Sequence, residues 1–302
     1  MINKTGILYL CATPIGNLED MTFRSIRILK EADLIAAEDT RHTRKLLTHF
    51  DIHTALTSYH EHNKFEKGPE LIDLLLQGKN IVVVSDAGLP GIADPGSHLV
   101  ELAISADIVV TPIPGANAAL SALICSGIDT TIFSFIGFLP KTTKKRKEVL
   151  ELIKEQESTL LFYESPHRIK DTLAEMLSIL GNRKIVAARE LTKKFEEFLR
   201  GDISYLIEYF KENQPRGEFT LVVEGFCGEN INEDIEITPN SIYKSVQELV
   251  EQGQDKKTAI KKIAVKLNIS RRDVYQTVLE LEKKKALIEK STNAIKGIGF
   301  LD

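Results

Sequence analysis

Apolar and polar positions change places in short blocks along the first two-thirds of the chain. Ile81–Val84 is an unbroken β-branched run, the pattern of a parallel strand buried on both faces. Ile7–Ala12, Asp33–Ala37, Ala55–Ser58, Ile108–Pro112 and Ile132–Gly137 predict further strands. Helical spacing recurs between them. In Thr22–Glu31, Phe23, Ile26 and Leu29 share one face, and Arg24, Arg27 and Lys30 lie on the other. Lys45–Phe50, Pro69–Gln77 (closed by Gly78), the stretch from Leu99 to Ile104 and Ala118–Cys125 predict the remaining helices. Repeated alternation of strand and helix predicts an α/β fold with a parallel sheet.

The second half repeats the theme with strands at Thr159–Tyr163, Lys184–Ala188 and Phe219–Val223, a shorter one at Phe198–Gly201, and helices at Pro166–Leu180 and Ile203–Lys211. The polar stretch Lys141–Glu148 reads as the loop that separates two α/β lobes, 1–140 and 141–228. An acid-rich segment with Pro239 then reads as a linker. Residues 241–290 are helical by pattern: Ile242–Gln252, Asp255–Asn268 and Ser270–Leu287, with Asp255 and Ser270 as N-caps and Asn268 as a left-handed stop. This is the rhythm of a helix-turn-helix, with 291–302 as a tail. A three-helix appendage with no ligand fits the same pattern.

A chain of 302 residues has room for about two domains. At 43% hydrophobic and 27% charged residues the composition is that of a globular protein. No apolar run approaches the ~18 residues of a membrane span, and the amino terminus reads as a first strand rather than a signal peptide. Cys11, Cys125 and Cys227 are widely spaced and form no CxxC pair. They point to neither zinc nor disulfides, and to a reducing cytoplasm. The net charge is −4, but Ser241–Asp302 holds 13 Lys+Arg against 8 Asp+Glu. A second basic cluster, Lys141–Lys147, follows Phe138-Leu139-Pro140. Either suits phosphate contact or a solvated surface.

The candidate chemistry sits in polar loops after strands. Ser85–Gly96 is longer than the ~2–6 residues of an ordinary βα loop. It matches no phosphate-cradling glycine motif, so a ligand loop and a rigid connection both remain open. Thr13–Asn17, Glu38–Arg44, Tyr59–Asn63 and Tyr163–Arg168 follow other strands, and converge on one sheet edge if those strands run parallel. There is no nucleophile elbow. His60, Glu61 and His62 lack a further clear ligand, so no metal is expected. Arg41, Arg44, Arg168 and Arg189 suit phosphates; Asp39, Asp86, Glu164 and Glu190 suit a cationic or hydroxyl-bearing ligand.

Nine ordered blocks carry a resemblance: Ala12–Leu29, Ala37–Leu47, Ser58–Asn63 (SYHEHN), Ser85–Gly96 (SDAGLPGIADPG), Pro112–Leu123 (PIPGANAALSAL), Phe135–Pro140, Phe162–Ile169 (FYESPHRI), Ala188–Gly201 and Gly217–Gly225. Together they resemble the ribosomal RNA small subunit methyltransferase I family over residues 5–226, and the likeness continues into the helical segment. Leu89 and Gly91-Ile92-Ala93 depart slightly from that family's loop. The resemblance implies a tetrapyrrole-methylase-like fold, two α/β lobes with S-adenosylmethionine held in the cleft between them, plus the small C-terminal helical domain. It implies transfer of methyl to the ribose 2′-oxygen of a cytidine near the decoding centre of 16S rRNA. A cytoplasmic homodimer acting on the small ribosomal subunit follows, with no membrane or DNA partner; a small-molecule, tetrapyrrole-type methyltransferase is the alternative on the same fold. Carried over residue by residue, the cofactor contacts fall on Pro14, Asp86, Ala87, Gly88, Leu89, Ile92, Ala93, Asn117, Ala118, Tyr163, Glu164, Glu218 and Phe219. Asp39, Glu61 and Glu190 become candidates for the base, with Arg41 and Lys193 to steady charge. Arg44, Lys144, Lys145, Arg146, Lys147, Arg168, Arg271 and Arg272 become candidates for gripping RNA.

Overall fold

The computed structural model describes residues 5–92, 96–228, 238–267 and 269–296. The chain divides into two compact units, Met1–Gly228 and Glu229–Asp302. The first begins with β1 (Ile7–Cys11), α1 (Phe23–Glu31), β2 (Leu34–Ala37), α2 (Thr40–His49), β3 (Leu56–Ser58), α3 (Lys64–Leu76), β4 (Ile81–Val84), α4 (Ser97–Ser105) and β5 (Val109–Ile113). These strands form one sheet in the order β3-β2-β4-β1-β5, with every pairing parallel. Each strand is followed by a helix, the only economical way to return to the same end of a parallel sheet. Because side chains alternate along a strand, Val82 and Val84 join the core under α1 and α2 while Ile81 and Val83 join the core under α3 and α4. All four β4 residues are therefore buried.

The unit continues with α5 (Ala118–Ser126), β6 (Phe133–Phe138), α6 (Thr143–Leu152), β7 (Thr159–Glu164), α7 (Ile169–Leu180), β8 (Lys184–Arg189), β9 (Glu197–Asp202), α8 (Ile203–Glu212) and β10 (Phe219–Val223). The second sheet is mixed, ordered β6-β7-β10-β8-β9; β6 and β7 are parallel, and β10 runs antiparallel between β7 and β8. Leu160, Phe162, Ile185, Ala187, Leu221 and Val223 face one way, into a core with α6, α7 and α8. Leu161, Val186, Ala188 and Val222 face the other way, against Ala119, Ala122 and Leu123 of α5. So α5, which follows the last strand of the first sheet, is packed on the second.

Three expectations are corrected here. Phe133–Phe138, assigned from the pattern to the first lobe, pairs in the second sheet. Lys141–Glu148, read as a separating loop, is the start of α6, whose apolar contacts Val149, Leu150 and Ile153 come only after the lysines. Thr40–Arg44, read as polar loop, is the first turn of α2, with Asp39 as its cap. Cys11 is buried, while Cys125 and Cys227 are exposed; all three are free.

The second unit holds α9 (Pro239–Glu251), α10 (Lys256–Lys266) and α11 (Arg271–Lys296), joined by a core of Ile242, Val246, Ala259, Ile260, Ile263, Ala264, Val274 and Val278. Thr238 caps α9 in a reciprocal capping box with Ser241. The described helix α11 continues to Lys296, beyond the expected end at Leu287.

Candidate active site

A cleft of about 500 Å³ opens where the carboxyl ends of β2 and β4 meet the second sheet. The mixed order of that sheet creates the meeting. Because β10 is antiparallel to both neighbours, its first residue, Phe219, lies opposite Glu164 at the end of β7 and Arg189 at the end of β8. Phe138, at the end of β6, is registered with Tyr163. Strand ends from both sheets therefore share one edge even though the second sheet is not parallel.

The Asp86–Ile92 loop is fixed on the first lobe. Gly88 exchanges two backbone hydrogen bonds with Thr13, at 2.9 and 3.0 Å, and holds φ at +80°. That left-handed conformation suits glycine. Asp86 accepts the Asp39 backbone N–H at 3.1 Å, which ties the loop to the end of β2.

Of the residues expected to contact a cofactor, the cleft is lined by Asp86, Ala87, Gly88, Leu89, Ile92 and also by Asn117, Ala118, Tyr163, Glu164, Glu218 and Phe219. Pro14 is not among the lining residues, although its neighbour Ile15 is. Ala93 lies outside the described residues. Asn117 caps α5, its side chain accepting the Leu120 N–H at 2.9 Å. Glu164 is almost fully buried, and its carboxylate is committed: Ser165 N–H donates at 2.8 Å and the Thr172 hydroxyl at 2.7 Å.

The candidates for acid–base chemistry are not brought together. Asp39 accepts the Arg41 N–H at 2.8 Å and pairs with the Arg41 guanidinium at 2.8 Å; that contact holds its carboxyl well below the usual carboxylate range. Glu61 is exposed and paired with Lys64, which keeps it low as well. Neither Asp39, Arg41 nor Glu61 lines the cleft. Glu190 and Lys193 form a 2.9 Å ion pair at its mouth, and Lys193 also reaches Glu218 at 2.9 Å. Burial pushes Glu190 up, but Lys193 and the Glu218 N–H outweigh it and leave the carboxyl below its ordinary value.

Sequence reasoning missed Glu38. It follows the last residue of β2, lines the cleft, and is half-buried beside Asp86. Burial raises its carboxyl above 4.5. The signal was available, since Glu38 is the first polar residue after the buried run Ile35–Ala37. Leu191, Ala188 and Thr220 also line the cleft; Leu191 and Ala188 are apolar, and Thr220 lies inside the buried strand β10, where its single hydroxyl does not mark a site.

The basic candidates separate by burial. Lys144, Lys145 and Lys147 are exposed on α6, as are Arg271 and Arg272 at the start of α11. Arg44 is exposed on α2, where it lines a shallow groove of about 440 Å³ with Arg41, Lys45 and Thr48. Two expectations fail. Arg146 is 5% exposed and makes a two-point ion pair with Glu175, at 2.5 and 2.8 Å, because it falls on the inward face of α6. Arg168 donates from Nη2 to the carbonyls of Leu139 and Pro140 at 2.9 and 3.0 Å, so that nitrogen is engaged inside the lobe. No helix of the described residues is long and apolar enough to cross a membrane.

Comparison with known proteins places this geometry among relatives. Residues 7–207 match the family model described as Tetrapyrrole (Corrin/Porphyrin) Methylases. Proteins named "Ribosomal RNA small subunit methyltransferase I" are similar to the chain over most of its length. The one from Halalkalibacterium halodurans is 55% identical over 89% of this chain and 93% of its own. That from Bacillus subtilis is 52% identical over the same shares, 89% and 93%. That from Synechocystis is 46% identical over 92% and 99%. Among solved structures, the methyltransferase CobJ superposes with a TM-score of 0.56 at 18% identity, covering 76% of this chain and 98% of its own. Diphthine synthase does so with 0.54 at 13% identity, over 72% and 89%. These structures share the fold.

Proposed function

The chain belongs to the ribosomal RNA small subunit methyltransferase I family of tetrapyrrole methylases, and we propose that it methylates the ribose 2′-oxygen of a cytidine in 16S rRNA, with S-adenosylmethionine as the donor. The relatives' names support rRNA of the small subunit as the substrate. The cleft supports the donor, and its charge is the observation that carries the reading. Glu38, Asp86, Glu164 and Glu218 line it, and the one lysine of the lining, Lys193, is already paired with Glu190 and Glu218. Such a site suits a cationic sulfonium and a flat adenine; it does not suit a phosphate-bearing cofactor. A volume of about 500 Å³ lies within the ~300–1,000 Å³ range of small-molecule sites.

In this reading Ile15, Leu89, Ile92, Leu191 and Phe219 supply apolar walls, while the backbone of Ala87 and the Asp86 carboxylate supply polar contacts. When bound, the sulfonium supplies an activated methyl group. The protein's task is then alignment of the acceptor hydroxyl, exclusion of water, and handling of one proton. The exposed lysines of α6, the arginines of α2 and the basic start of α11 support phosphate contact, which positions RNA without reading its sequence. Exposed apolar side chains on the edge strand β5 (Val109) and on α5 (Leu120, Ile124) support a homodimer. Sedimentation equilibrium tests it, with twice the chain mass expected and a monomer at all concentrations overturning it.

The deciding experiment is transfer of labelled methyl from S-adenosylmethionine to small subunits, and to naked rRNA, taken from a strain deleted for the gene, followed by nucleoside analysis by mass. Label in 2′-O-methylcytidine is expected. No label in RNA while the donor still binds would overturn the reading and move the acceptor to a small molecule.

A further inference from the structure

Of the acids that line the cleft or were candidates for the base, all but Glu38 and Asp86 are held by a cation. Asp39 caps α2 and holds Arg41. Glu61 holds Lys64, and Glu190 and Glu218 share Lys193. Glu164 is held by Ser165, Thr172 and, at 3.7 Å, Arg168. Asp86 accepts the N–H of Asp39. Glu38 is different: it makes no ion pair among the described residues, and its carboxylate accepts the Asp86 N–H over a long 3.5 Å. It stands at the carboxyl end of β2, where Ala37 is registered with Val84 of β4, so its backbone is fixed by the centre of the sheet.

We propose that Glu38 is the catalytic base, the carboxylate that takes the proton of the acceptor hydroxyl. This rests on the function proposed above. The hydroxyl oxygen forms a bond to the methyl carbon as its proton passes to a Glu38 oxygen. The carbon–sulfur bond breaks with its electron pair remaining on sulfur, so a cationic donor becomes a neutral thioether. Glu38 ends as a neutral acid and returns its proton to solvent. Two features fit that task. The carboxylate is half-buried, and burial makes it a stronger base than an exposed glutamate. The charges of Asp86 and Asp39 reinforce the effect, whereas the Asp86 N–H and His60 oppose it without reversing it. It also lines the cleft beside Asp86, the first residue of the loop to which the proposed function assigns donor contacts.

The test compares wild type, Glu38→Gln and Glu38→Asp in single-turnover methyl transfer to small subunits lacking the modification, with donor affinity measured by calorimetry. Glu38→Gln is expected to slow transfer by about 10²–10⁴-fold, with donor affinity within a few-fold of wild type. Glu38→Asp is expected to recover part of the rate. The wild-type rate should fall as pH drops through the Glu38 pKa, and that acid limb should vanish in Glu38→Gln. A readout free of turnover is the carboxyl infrared difference spectrum of the apoprotein against Glu38→Gln, expected to show one carboxyl that titrates above 4.5. A Glu38→Gln rate within tenfold of wild type, or no such carboxyl, overturns the role for Glu38 while leaving the function standing. A wild-type protein that binds donor but labels no RNA overturns the function, and the role with it.

Discussion

Glu38 and Asp39 are adjacent in sequence and opposite in consequence. Asp39 is turned to the backbone of α2 and neutralised by Arg41, while Glu38 lines the cleft with no ion pair among the described residues. Nothing in the letters ED separates them, because the separation depends on where α2 begins. Stability offers a check. Burial raises the Glu38 pKa in the folded chain, so between 4.5 and that raised value the native state binds more protons than the unfolded state, and stability falls as pH rises. Glu38→Gln removes the penalty. Thermal melts should find the variant as stable as wild type near pH 4 and at least as stable at pH 8, with the gap opening upward in pH. A variant that is less stable at pH 8 would mean that the carboxylate is structural. Arg146 makes the converse case. Removing one partner of its buried pair with Glu175, as Arg146→Ala does, should cost about 3 kcal/mol in urea unfolding. Arg146→Met with Glu175→Leu should recover most of that loss, since a packed apolar pair replaces the ionic one.

At the scale of elements, apolar periodicity located the strands well and the starts of polar helices badly. β4 was legible because four consecutive buried positions admit one explanation in a parallel sheet. α6 was not, because its first turn, Thr143–Arg146, holds three basic residues and its apolar contacts come later. The same holds for α2, where the cluster Thr40–Arg44 hides a helical turn. The helical setting changes what α6 can do. Arg146 falls on the core side, and Lys144, Lys145 and Lys147 are left facing solvent. The triple variant Lys144→Ala, Lys145→Ala, Lys147→Ala should alter unfolding free energy by less than about 0.5 kcal/mol. RNA affinity should fall, and the slope of log affinity against log salt should become shallower by about 2, as loss of three phosphate contacts requires on single-stranded RNA. An unchanged slope would remove α6 from the RNA surface.

At the scale of the whole molecule, the composition shift after Gly228 was legible in the sequence and coincides with the division between the two compact units. The strand order was not legible. β10 reads like any buried strand, yet its antiparallel placement between β7 and β8 is what sets Phe219 beside Glu164 and Arg189 and draws the second sheet into the cleft. Each unit has its own apolar core, and all lining residues of the cleft lie before Gly228. Donor binding and RNA affinity should therefore separate on truncation. A chain ending at Gly228 should show the far-ultraviolet dichroism of a folded α/β unit, less the signal of the three lost helices, and bind S-adenosylmethionine with a dissociation constant within a few-fold of the full chain. Its affinity for small-subunit RNA should drop, with a shallower salt dependence, because Arg271, Arg272 and the other cations of the helical unit are gone. Equal RNA affinity and an equal salt slope in the two chains would assign RNA recognition to the α/β unit alone and leave the helices a role in assembly. Loss of donor binding in a folded truncated chain would show that the cleft needs the helical unit, against the independence of the two cores.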